Sequence, residues 1–344
     1  MKTVRYHGIG DVRCENISKP IPKSGEALIK VSYAGICGSD MHIYNKGMFV
    51  EIVPNPMGHE FVGVIEEMAD GFGEEGQEWK VGDIVVGNPM VVCGSCEGCK
   101  AELPNTCEHI GFIGEVSQGC FAEYICMKAE DLIQLPKEFE KKDILLERIA
   151  LTEPLAVALN MAERAGLADQ PKDQTPAIIG AGPIALLLLA VAKQIYHIPK
   201  VVLTGRSQKR LSIAEELGAT VLPSITEKTD GKGYSLIFET AGKEATISMS
   251  MEAASPGGKI CVVSVFEDIF PVDLNILVGK QLTLVGSNAY EIRHLKEAMR
   301  LLADGSINPD CIITSIVEPE QCKESFDSLN EKDKTQAKIL FKMS

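Results

Sequence analysis

Positive charge is in short supply along this 344-residue chain, in which 34 Lys and Arg stand against 48 Asp and Glu. The formal net charge of −14 argues against a nucleic-acid partner, because neutralising phosphates requires clustered Lys and Arg. The sequence also lacks internal repeats, low-complexity stretches and any segment with the composition of a disordered tail. These observations indicate a globular chain long enough for two domains, each with its own core.

An uninterrupted apolar run of membrane-spanning length is also missing. The nearest candidate, AIIGAGPIALLLLAVAKQI, contains two glycines and a proline near its start. A spanning helix needs about 20 consecutive apolar residues, so this run is interpreted as a strand followed by a helix. The N-terminal sequence MKTVRYHGIGDVRCEN lacks the apolar core of a signal peptide. We therefore expect a cytoplasmic protein with no membrane partner.

Disulfides are not expected, although the chain has eleven cysteines. Their number is odd, so they cannot all pair, and cytoplasmic cysteines are usually thiols or metal ligands. Four of them lie together in VVCGSCEGCKAELPNTC with the spacing C-x2-C-x2-C-x7-C. An iron–sulfur cluster is the main alternative to zinc, but the fourth cysteine is too distant for the ferredoxin spacing and no Cys-Pro ending follows. We predict a closed tetrahedral structural zinc site at Cys93, Cys96, Cys99 and Cys107.

The chain shows two kinds of secondary-structure pattern. Up to about residue 143, short runs such as EALIKVSYAGIC and EFVGVIEEM are separated by Gly and Pro, which predicts a β-rich barrel or sandwich. From ALTEPLAVALNMAERAG onwards, strand-like and helix-like segments alternate, which predicts a parallel sheet with helices on both faces. The C-terminal part, with IRHLKEAMRLLADG and IITSIVEP, need not belong to that sheet and can return to the first domain.

A glycine-rich turn stands between a predicted strand and a predicted helix. It reads Gly180-Ala181-Gly182-Pro183-Ile184-Ala185, which has the G-x-G-x-x-A form of the dinucleotide fingerprint. Gly180 allows a tight turn, Gly182 lets the backbone approach a pyrophosphate, and the helix N-terminus offers free N–H groups. We predict a dinucleotide site here, with a ligand-free strand–helix turn as the alternative.

The choice of dinucleotide depends on residues about 20 positions further on, where NAD sites normally carry an acidic residue for the ribose hydroxyls. This chain has Gly205 in that place, followed by Arg206, Ser207 and Arg210. Without a carboxylate there is no repulsion against a 2′-phosphate, and a guanidinium offers that phosphate two donors. We therefore predict that NADP is favoured over NAD, with a solvated basic loop as the alternative.

A second set of metal-ligand residues is dispersed along the chain. Cys37 lies in GICGSDMH, His59 and Glu60 in PMGHEFVG, and Glu153 in ALTEPLAV. Thiolate, imidazole and carboxylate groups together suit Zn²⁺ and leave a position for water or substrate, which four thiolates do not. No local spacing connects these residues, and each of them alone would be interpreted as an ordinary buried side chain.

Together these segments resemble the zinc-dependent medium-chain dehydrogenase/reductase family, in its polyol/sorbitol and threonine dehydrogenase branch. The resemblance rests on GICGSDMHIY, PMGHEFVG, CGSCEGCKAELPNTC, QGCFAEY, EPLAVALN, GAGPIA and FETAG, in that order. It implies an α/β protein with a GroES-like β-rich catalytic domain at 1–152 and 289–344, including a zinc lobe at about 90–110. A Rossmann domain is expected at 153–288, with the active site in the cleft between the domains. The family also implies a homodimer or homotetramer formed through the Rossmann sheet edge.

Residue matching to the family assigns roles to the dispersed residues. Glu60 is either a fourth zinc ligand or a carboxylate behind the ligands. Ser39 resembles the hydroxyl that bonds the substrate oxygen, and His42 the histidine of the proton relay, with ordinary loop polarity as the alternative for both. The expected catalytic-zinc ligands are Cys37, His59 and Glu153. The expected cofactor contacts are Gly180, Gly182, Pro183, Ile184, Gly205, Arg206, Ser207, Arg210 and Ser287.

The resemblance implies an enzyme that transfers a hydride reversibly between NADP and a secondary alcohol or polyol, such as a diol, a sugar alcohol or its phosphate. An NAD-linked threonine or sorbitol dehydrogenase is one alternative, and a non-catalytic NADP-binding zinc scaffold is another. A zinc-free quinone or enone reductase on the same fold is disfavoured, because such enzymes usually lack the cysteine lobe. Sorbitol-type enzymes tend to carry an Arg-Tyr pair where this chain has Ala289-Tyr290, which weakens the sorbitol assignment.

Overall fold

The computed structural model describes residues 1–73, 78–139, 144–171, 173–226, 233–331 and 334–344. The N-terminal part has three short helices: α1 (Gly38–Lys46), α2 (Glu97–Lys100) and α3 (Leu146–Ile149). Its strands are β1 (Lys2–Gly8), β2 (Asp11–Asn16), β3 (Glu26–Gly35), β4 (Asn55–Pro56), β5 (Glu60–Met68), β6 (Ile84–Gly87), β7 (Met90–Val91), β8 (Gly111–Phe112), β9 (Tyr124–Lys128) and β10 (Leu132–Gln134). This part of the chain is thus rich in short strands, as predicted.

Strands and helices alternate in the next part of the chain. The strands are β11 (Ala177–Ile179), β12 (Val202–Thr204), β13 (Thr220–Val221), β14 (Tyr234–Glu239), β15 (Ala254–Val262) and β16 (Thr283–Gly286). The helices are α4 (Thr152–Ala165), α5 (Pro183–Ala190), α6 (Gln208–Glu216), α7 (Glu244–Ala253), α8 (Leu274–Lys280) and α9 (Ile292–Ala303). The chain ends with β17 (Ile313–Val317), α10 (Cys322–Asn330) and β18 (Lys338–Lys342).

The six strands β11 to β16 form one parallel sheet in the order β13-β12-β11-β14-β15-β16. Parallel strands need crossover connections, which the intervening helices supply. The order reverses at β11, which has β12 on one side and β14 on the other. Ligands of open α/β sheets bind at such a switch point, beyond the carboxyl ends of the strands. The predicted α/β architecture is confirmed.

The second large sheet contains strands from both ends of the chain. Its order is β10-β6-β5-β3-β18-β17, with β9 also paired to β3. The C-terminal strand β18 runs antiparallel to β3, with Leu340 opposite Gly35. The last strands therefore leave the parallel sheet and return to the β-rich part, which brings the chain's C-terminal residues beside the end of β3.

The largest apolar core lies around α4, α5 and α9. Leu186 to Ala190 of α5 are fully buried, so this helix exposes almost no side to solvent, which explains its continuous apolar sequence. The apolar run interpreted as a strand followed by a helix contains β11 and then α5, which is α-helical from Pro183 to Ala190 and continues as a π-helical stretch, Val191–Ile195. Among the described residues, no helix is both long and apolar enough to cross a membrane.

Candidate active site and zinc lobe

Strand register brings the first set of dispersed metal-ligand residues together. Cys37 follows β3 as the N-cap of α1, whereas His59 precedes β5 and Glu60 begins it. Because β3 and β5 pair antiparallel with Gly35 opposite Glu60, the end of one strand lies beside the start of the other. One ligand atom each from Cys37, His59 and Glu60 lies within 4.8 Å of the other two. This long-range pairing is what the sequence alone could not specify.

Glu153 approaches these three residues from the first turn of α4, although it is not part of the group whose ligand atoms lie within 4.8 Å of one another. Its side chain is buried and close enough to His59 and Glu60 to interact electrostatically with both. Burial raises the pKa of Glu153 to about 7, although the nearby His59 opposes the shift. Tyr290, fully buried on the segment after β16, lies beside the same carboxylate. The cluster thus draws residues from four separate stretches of the chain.

The carboxylate of Glu60 has a partner that the sequence analysis missed. Lys338 Nζ donates to Glu60 Oε1 at 2.9 Å and Oε2 at 2.6 Å, and also to the Ile36 carbonyl at 2.9 Å. Both side chains are completely buried, with exposures of 1% and 0%. Both oxygens of Glu60 are therefore occupied by an ammonium group. The available signal was a single lysine inside the apolar strand sequence AKILF.

The donor set around His59 fits a metal cation. His59 Nδ1 is buried and has no hydrogen-bond partner among the described residues. Burial lowers the pKa of His59, but the neighbouring Cys37, Asp40 and Glu153 outweigh it and raise that pKa well above its usual value. An unpaired imidazole nitrogen among acidic groups is the environment that a bound cation completes. Thiolate, imidazole and carboxylate donors are those that zinc takes.

Helix α1 presents the two predicted relay residues one turn apart. Its N-terminus is held by Asp40, whose Oδ2 accepts from the Cys37 backbone N–H at 2.8 Å. The Ser39 hydroxyl oxygen is buried and has no hydrogen-bond partner among the described residues. His42 lies three positions later and therefore on the same face of the helix. Its Nδ1 is 3.0 Å from Oε1 of Glu267, which lies between β15 and α8 and which sequence reasoning missed.

The four clustered cysteines surround a second potential metal position around α2. One sulfur from each lies within 4.8 Å of the other three. The backbone N–H of Cys96 donates to Cys93 Sγ at 3.4 Å, and that of His109 to Cys107 Sγ at 3.3 Å. Such donors favour thiolates, and the N–H groups of Ser95 and Cys96 lower the pKa of Cys93 to about 5. All eleven cysteines are free thiols, so the donors remain available for zinc.

The zinc lobe is tied to the segment that carries Tyr290. Asn105 Nδ2 donates to the Asn288 carbonyl at 2.9 Å, and Asn288 Nδ2 donates back to the Asn105 carbonyl at 2.8 Å. On the other side of this segment, Asn160 of α4 donates to the Ala289 carbonyl at 2.9 Å. The backbone leading to Tyr290 is therefore fixed from both sides, one of them by the lobe.

The glycine-rich turn has the shape that a pyrophosphate requires. Gly180 has φ +115°, and a Cβ there would lie 2.2 Å from Thr240 Oγ1, so only glycine fits. A Cβ on Gly182 would meet nothing within 4 Å, which leaves open space at the N-terminus of α5. Pro183 is the first residue of this helix, and Ile184 follows it with a backbone N–H in the first turn. The turn therefore fits a dinucleotide.

The end of β12 is shaped to exclude an acidic side chain. A Cβ on Gly205 would lie 2.9 Å from Ala181 Cβ, closer than real Cβ atoms approach other atoms, and 3.3 Å from Leu211 Cδ2, which is a tight contact. Arg206, which follows, is exposed. Steric contact with the glycine-rich turn thus accounts for the missing carboxylate, in addition to the charge argument from the sequence.

Two of the predicted cofactor contacts have intramolecular partners instead of facing solvent. The Ser207 hydroxyl donates to the Lys334 carbonyl, and Arg210 Nε donates to the Gln336 carbonyl at 2.6 Å. This anchors the segment before β18 on the N-terminus of α6. Burial and the positive charges of Arg210, Arg206 and Lys243 lower the pKa of Lys334. Four cationic side chains therefore lie together beside the end of β12, two of them not foreseen from the sequence.

Ser287, the last predicted cofactor contact, is buried after β16. Its backbone N–H donates to the Val262 carbonyl at 2.9 Å, and its hydroxyl accepts from Asn160 Nδ2 at 3.3 Å. The side chain therefore supports the segment that leads to Tyr290. Its position beyond the carboxyl end of the parallel sheet places it at the same edge as the glycine-rich turn.

Comparisons with known proteins agree with this geometry. Residues 23–137 match the family Alcohol dehydrogenase GroES-like domain, and residues 183–304 match the family Zinc-binding dehydrogenase. The chain is 34% identical to 2-dehydro-3-deoxy-L-galactonate 5-dehydrogenase from Pseudoalteromonas atlantica, with 86% of this chain and 85% of that protein covered. It is 33% identical to (R,R)-butanediol dehydrogenase from Bacillus subtilis, with 99% of each covered.

Solved structures are similar over nearly the whole chain. A zinc-binding dehydrogenase from Sinorhizobium meliloti bound to NADP has a TM-score of 0.87 at 27% identity, with 99% of this chain and 98% of that one covered. An alcohol dehydrogenase from Escherichia coli in complex with NADH has a TM-score of 0.86 at 27% identity, with 99% of both chains covered. With its two matched families, its zinc-type donor clusters and its glycine-rich turn, the chain belongs to the zinc-dependent medium-chain dehydrogenase/reductase family.

Proposed function

We propose that the protein is a zinc-dependent alcohol dehydrogenase that transfers a hydride reversibly between NADP and a secondary alcohol of the diol or polyol class. The observation that carries the proposal is the convergence of ligand atoms from Cys37, His59 and Glu60 within 4.8 Å of one another. The buried Glu153 carboxylate interacts electrostatically with His59, and the Ser39 hydroxyl, on the helix that Cys37 caps, has no hydrogen-bond partner among the described residues. A scaffold protein has no use for an unsatisfied buried hydroxyl and imidazole at one place, because unpaired buried polar atoms destabilise the fold.

Cys37, His59 and Glu153 would hold the catalytic zinc, and Lys338 restrains Glu60 behind them. When bound, zinc polarises the alcohol oxygen as a Lewis acid and makes its proton easier to remove. The Lys338 ammonium neutralises one of the buried carboxylates of the cluster, so Glu60 is the carboxylate least free to reach the metal. We therefore assign Glu153, and not Glu60, as the inner carboxylate ligand.

Ser39 and His42 would remove the alcohol proton. The Ser39 hydroxyl, which has no hydrogen-bond partner among the described residues, is free to accept a hydrogen bond from the substrate hydroxyl. His42 lies one helical turn away and can take the proton that Ser39 passes on. Since both residues belong to α1, whose N-cap is Cys37, the relay has a fixed position relative to the metal ligands.

NADP is favoured by the residues at the end of β12. The nicotinamide ring of the cofactor accepts or donates the hydride. The turn from Gly180 to Pro183 holds the pyrophosphate, and Gly205 leaves no acidic group to repel a 2′-phosphate. Arg206 and Lys334 are the cations best placed to attract that phosphate, because Arg210 is occupied by a backbone carbonyl. Of the two similar solved structures, the one from Sinorhizobium meliloti is bound to NADP and the one from Escherichia coli to NADH, so this preference depends on the chain's own residues.

We further propose the domain division expected from the sequence, with 1–152 and 289–344 as the catalytic domain and 153–288 as the nucleotide domain. The pairing of β18 with β3 supports this division. A homodimer or homotetramer would cover the free edge of the parallel sheet at β16. Exposed apolar side chains there and on the adjoining segment support such an interface; they are Ile269, Leu274, Val278 and Leu284.

The experiment that tests the proposal combines metal analysis with a screen of alcohols. The purified protein is analysed for zinc and then assayed with diols, sugar alcohols, their phosphates and amino alcohols, each with NADP⁺ and with NAD⁺. We expect two zinc ions per chain and formation of reduced cofactor with at least one secondary alcohol. One zinc without turnover would support a scaffold, and activity without zinc would support a reductase.

A further inference from the structure

A carboxylate from the nucleotide domain contacts the relay histidine of the catalytic domain. His42 Nδ1 on α1 lies 3.0 Å from Oε1 of Glu267, although the two residues are 225 positions apart. The other carboxylate oxygen of Glu267 lies 3.3 Å from Nζ of Lys243. The three side chains form a continuous series of imidazole, carboxylate and ammonium groups across the cleft between the two sheets.

The surroundings of His42 make Glu267 its dominant charged neighbour. The two side chains are 23% and 25% exposed, so their interaction is partly shielded from water. Phe49, from the loop after α1, packs edge-on against the imidazole with ring centroids 6.4 Å apart and adds no charge. Lys46 lies one turn further along α1, at the exposed end of the helix. Among the described residues, Glu267 is the charged group in hydrogen-bonding contact with His42.

This arrangement has a defined effect on the imidazole. A carboxylate that accepts from Nδ1–H fixes the neutral ring in one tautomer and leaves the Nε2 lone pair free for an incoming proton. Burial raises the pKa of Glu267, but Lys243 and His42 outweigh it and hold that pKa below its usual value. Glu267 therefore remains ionised while His42 gains or loses its proton.

We propose that Glu267 is the positioning residue of the proton relay, which holds the His42 imidazole in one orientation and one tautomer, and that Lys243 holds Glu267 in place. The inference rests on the proposed function. In alcohol oxidation the substrate hydroxyl gives its proton to Ser39 Oγ as the Ser39 proton passes to His42 Nε2, and the imidazolium later releases a proton to solvent. Glu267 stabilises the imidazolium and is itself unchanged.

The test compares kcat and KM for alcohol oxidation by the zinc-loaded enzyme at saturating NADP⁺. Glu267→Gln keeps the size of the side chain but replaces a group that only accepts hydrogen bonds with an amide that can also donate, so the orientation and tautomer of His42 are no longer fixed. We expect kcat to fall about 3- to 10-fold, since a misoriented base transfers the proton less efficiently, while KM for the alcohol changes by less than about 2-fold.

Lys243→Met should lower kcat in the same way but by less. It removes the ammonium group that contacts the second oxygen of Glu267, so the carboxylate is held less firmly against His42. Asp268→Asn is the matched control, because it removes the same charge from the exposed neighbouring residue of the same loop and should leave kcat unchanged.

A cycle with His42→Asn shows whether Glu267 acts through the histidine. In that background, Glu267→Gln should change kcat by less than about 2-fold, because coupled residues are not additive. Equal losses of kcat in Glu267→Gln and Asp268→Asn, no loss in Glu267→Gln, or a full effect of Glu267→Gln without His42 would overturn the inference. A wild-type enzyme that reduces no cofactor with any alcohol would instead refute the proposed function.

Discussion

Replacing Lys338 with Met should strongly destabilise the protein, because it leaves the Glu60 carboxylate buried without a partner. The methionine side chain is close in length to the aliphatic part of lysine, so packing in β18 changes little. The two hydrogen bonds to Glu60 and the one to the Ile36 carbonyl are lost. Breaking a buried ion pair by removing one partner typically costs about 3–5 kcal/mol, or two to four powers of ten in the folding equilibrium.

The magnitude follows from how completely the pair is enclosed. Glu60 and Lys338 are 0% and 1% exposed, so water cannot replace the missing ammonium. Asp40 and Glu153, also buried and negative when ionised, lie near enough to add repulsion. For a domain whose total stability is about 5–15 kcal/mol, a loss of this size is readily measured and can unfold a marginal protein.

Glu60→Gln in the Lys338→Met background should restore most of the loss, because it removes the charge that has no partner. Replacing both members of a buried pair is often close to neutral. Lys342→Met is the control, since this lysine is exposed on the same strand and its replacement should change stability by less than about 0.5 kcal/mol. The coupling between Glu60 and Lys338 should therefore appear in a double-mutant cycle.

Urea unfolding followed by the fluorescence of Trp79, the single tryptophan, measures these differences in the β-rich part of the chain. The titrations are run both with excess zinc and with chelator, because a metal bound to the folded state adds its own stabilisation. A Lys338→Met protein no less stable than Lys342→Met would refute the reasoning. A double variant as unstable as Lys338→Met alone would show that the charge of Glu60 is not the cause.

Three further predictions follow from the site. Gly205→Asp should fold poorly, because the new side chain would clash with Ala181. The double variant Ala181→Gly/Gly205→Asp should fold, and its preference for NADP over NAD, measured as the ratio of the two kcat/KM values, should fall at least about 10-fold. An unchanged ratio would contradict the cofactor assignment. Cys99→Ser should remove one zinc per chain and lower Tm while the catalytic zinc remains, and loss of both metals together would contradict separate sites. Arg293 lowers the pKa of Glu163 to about 2, so the ionised carboxylate stabilises the folded state. Glu163→Gln should therefore destabilise the protein by a constant amount above about pH 4.3 and by less and less as the pH falls towards 2. A difference in urea unfolding that does not depend on pH would contradict this.

Local patterns predicted the architecture, because alternation and turn residues act over short distances. Strand β5 begins and ends where EFVGVIEEM predicts. Strand β15 starts at Ala254, before its apolar residues KICV, since parallel pairing with β14 extends over a Gly-rich stretch that hydrophobic periodicity does not reveal. The two zinc-type clusters were foreseen, one from its cysteine spacing and the other only from the family resemblance.

What the sequence did not reveal depends on contacts between distant segments. The pairing of Glu60 with Lys338 needs the C-terminal strand to enter the sheet that contains β3 and β5, and the contact of His42 with Glu267 needs α1 to lie against the segment between β15 and α8. The sequence shows that Arg210 is positively charged, but not whether its guanidinium binds a cofactor phosphate or, as the structure shows, donates to the Gln336 carbonyl. Burial and register, which select among chemically equivalent partners, are properties of the folded chain.

The most direct test of the account is the zinc content of the wild type and of Cys37→Ser, measured with their alcohol-dependent formation of NADPH. The account predicts two zinc ions and turnover in the wild type. Cys37→Ser should retain one zinc, bound in the cysteine lobe, and still bind NADPH, but lose turnover by at least about 1,000-fold, the scale expected when metal-assisted charge stabilisation is removed. A Cys37→Ser protein with both zinc ions and undiminished turnover would contradict the assignment of the catalytic metal.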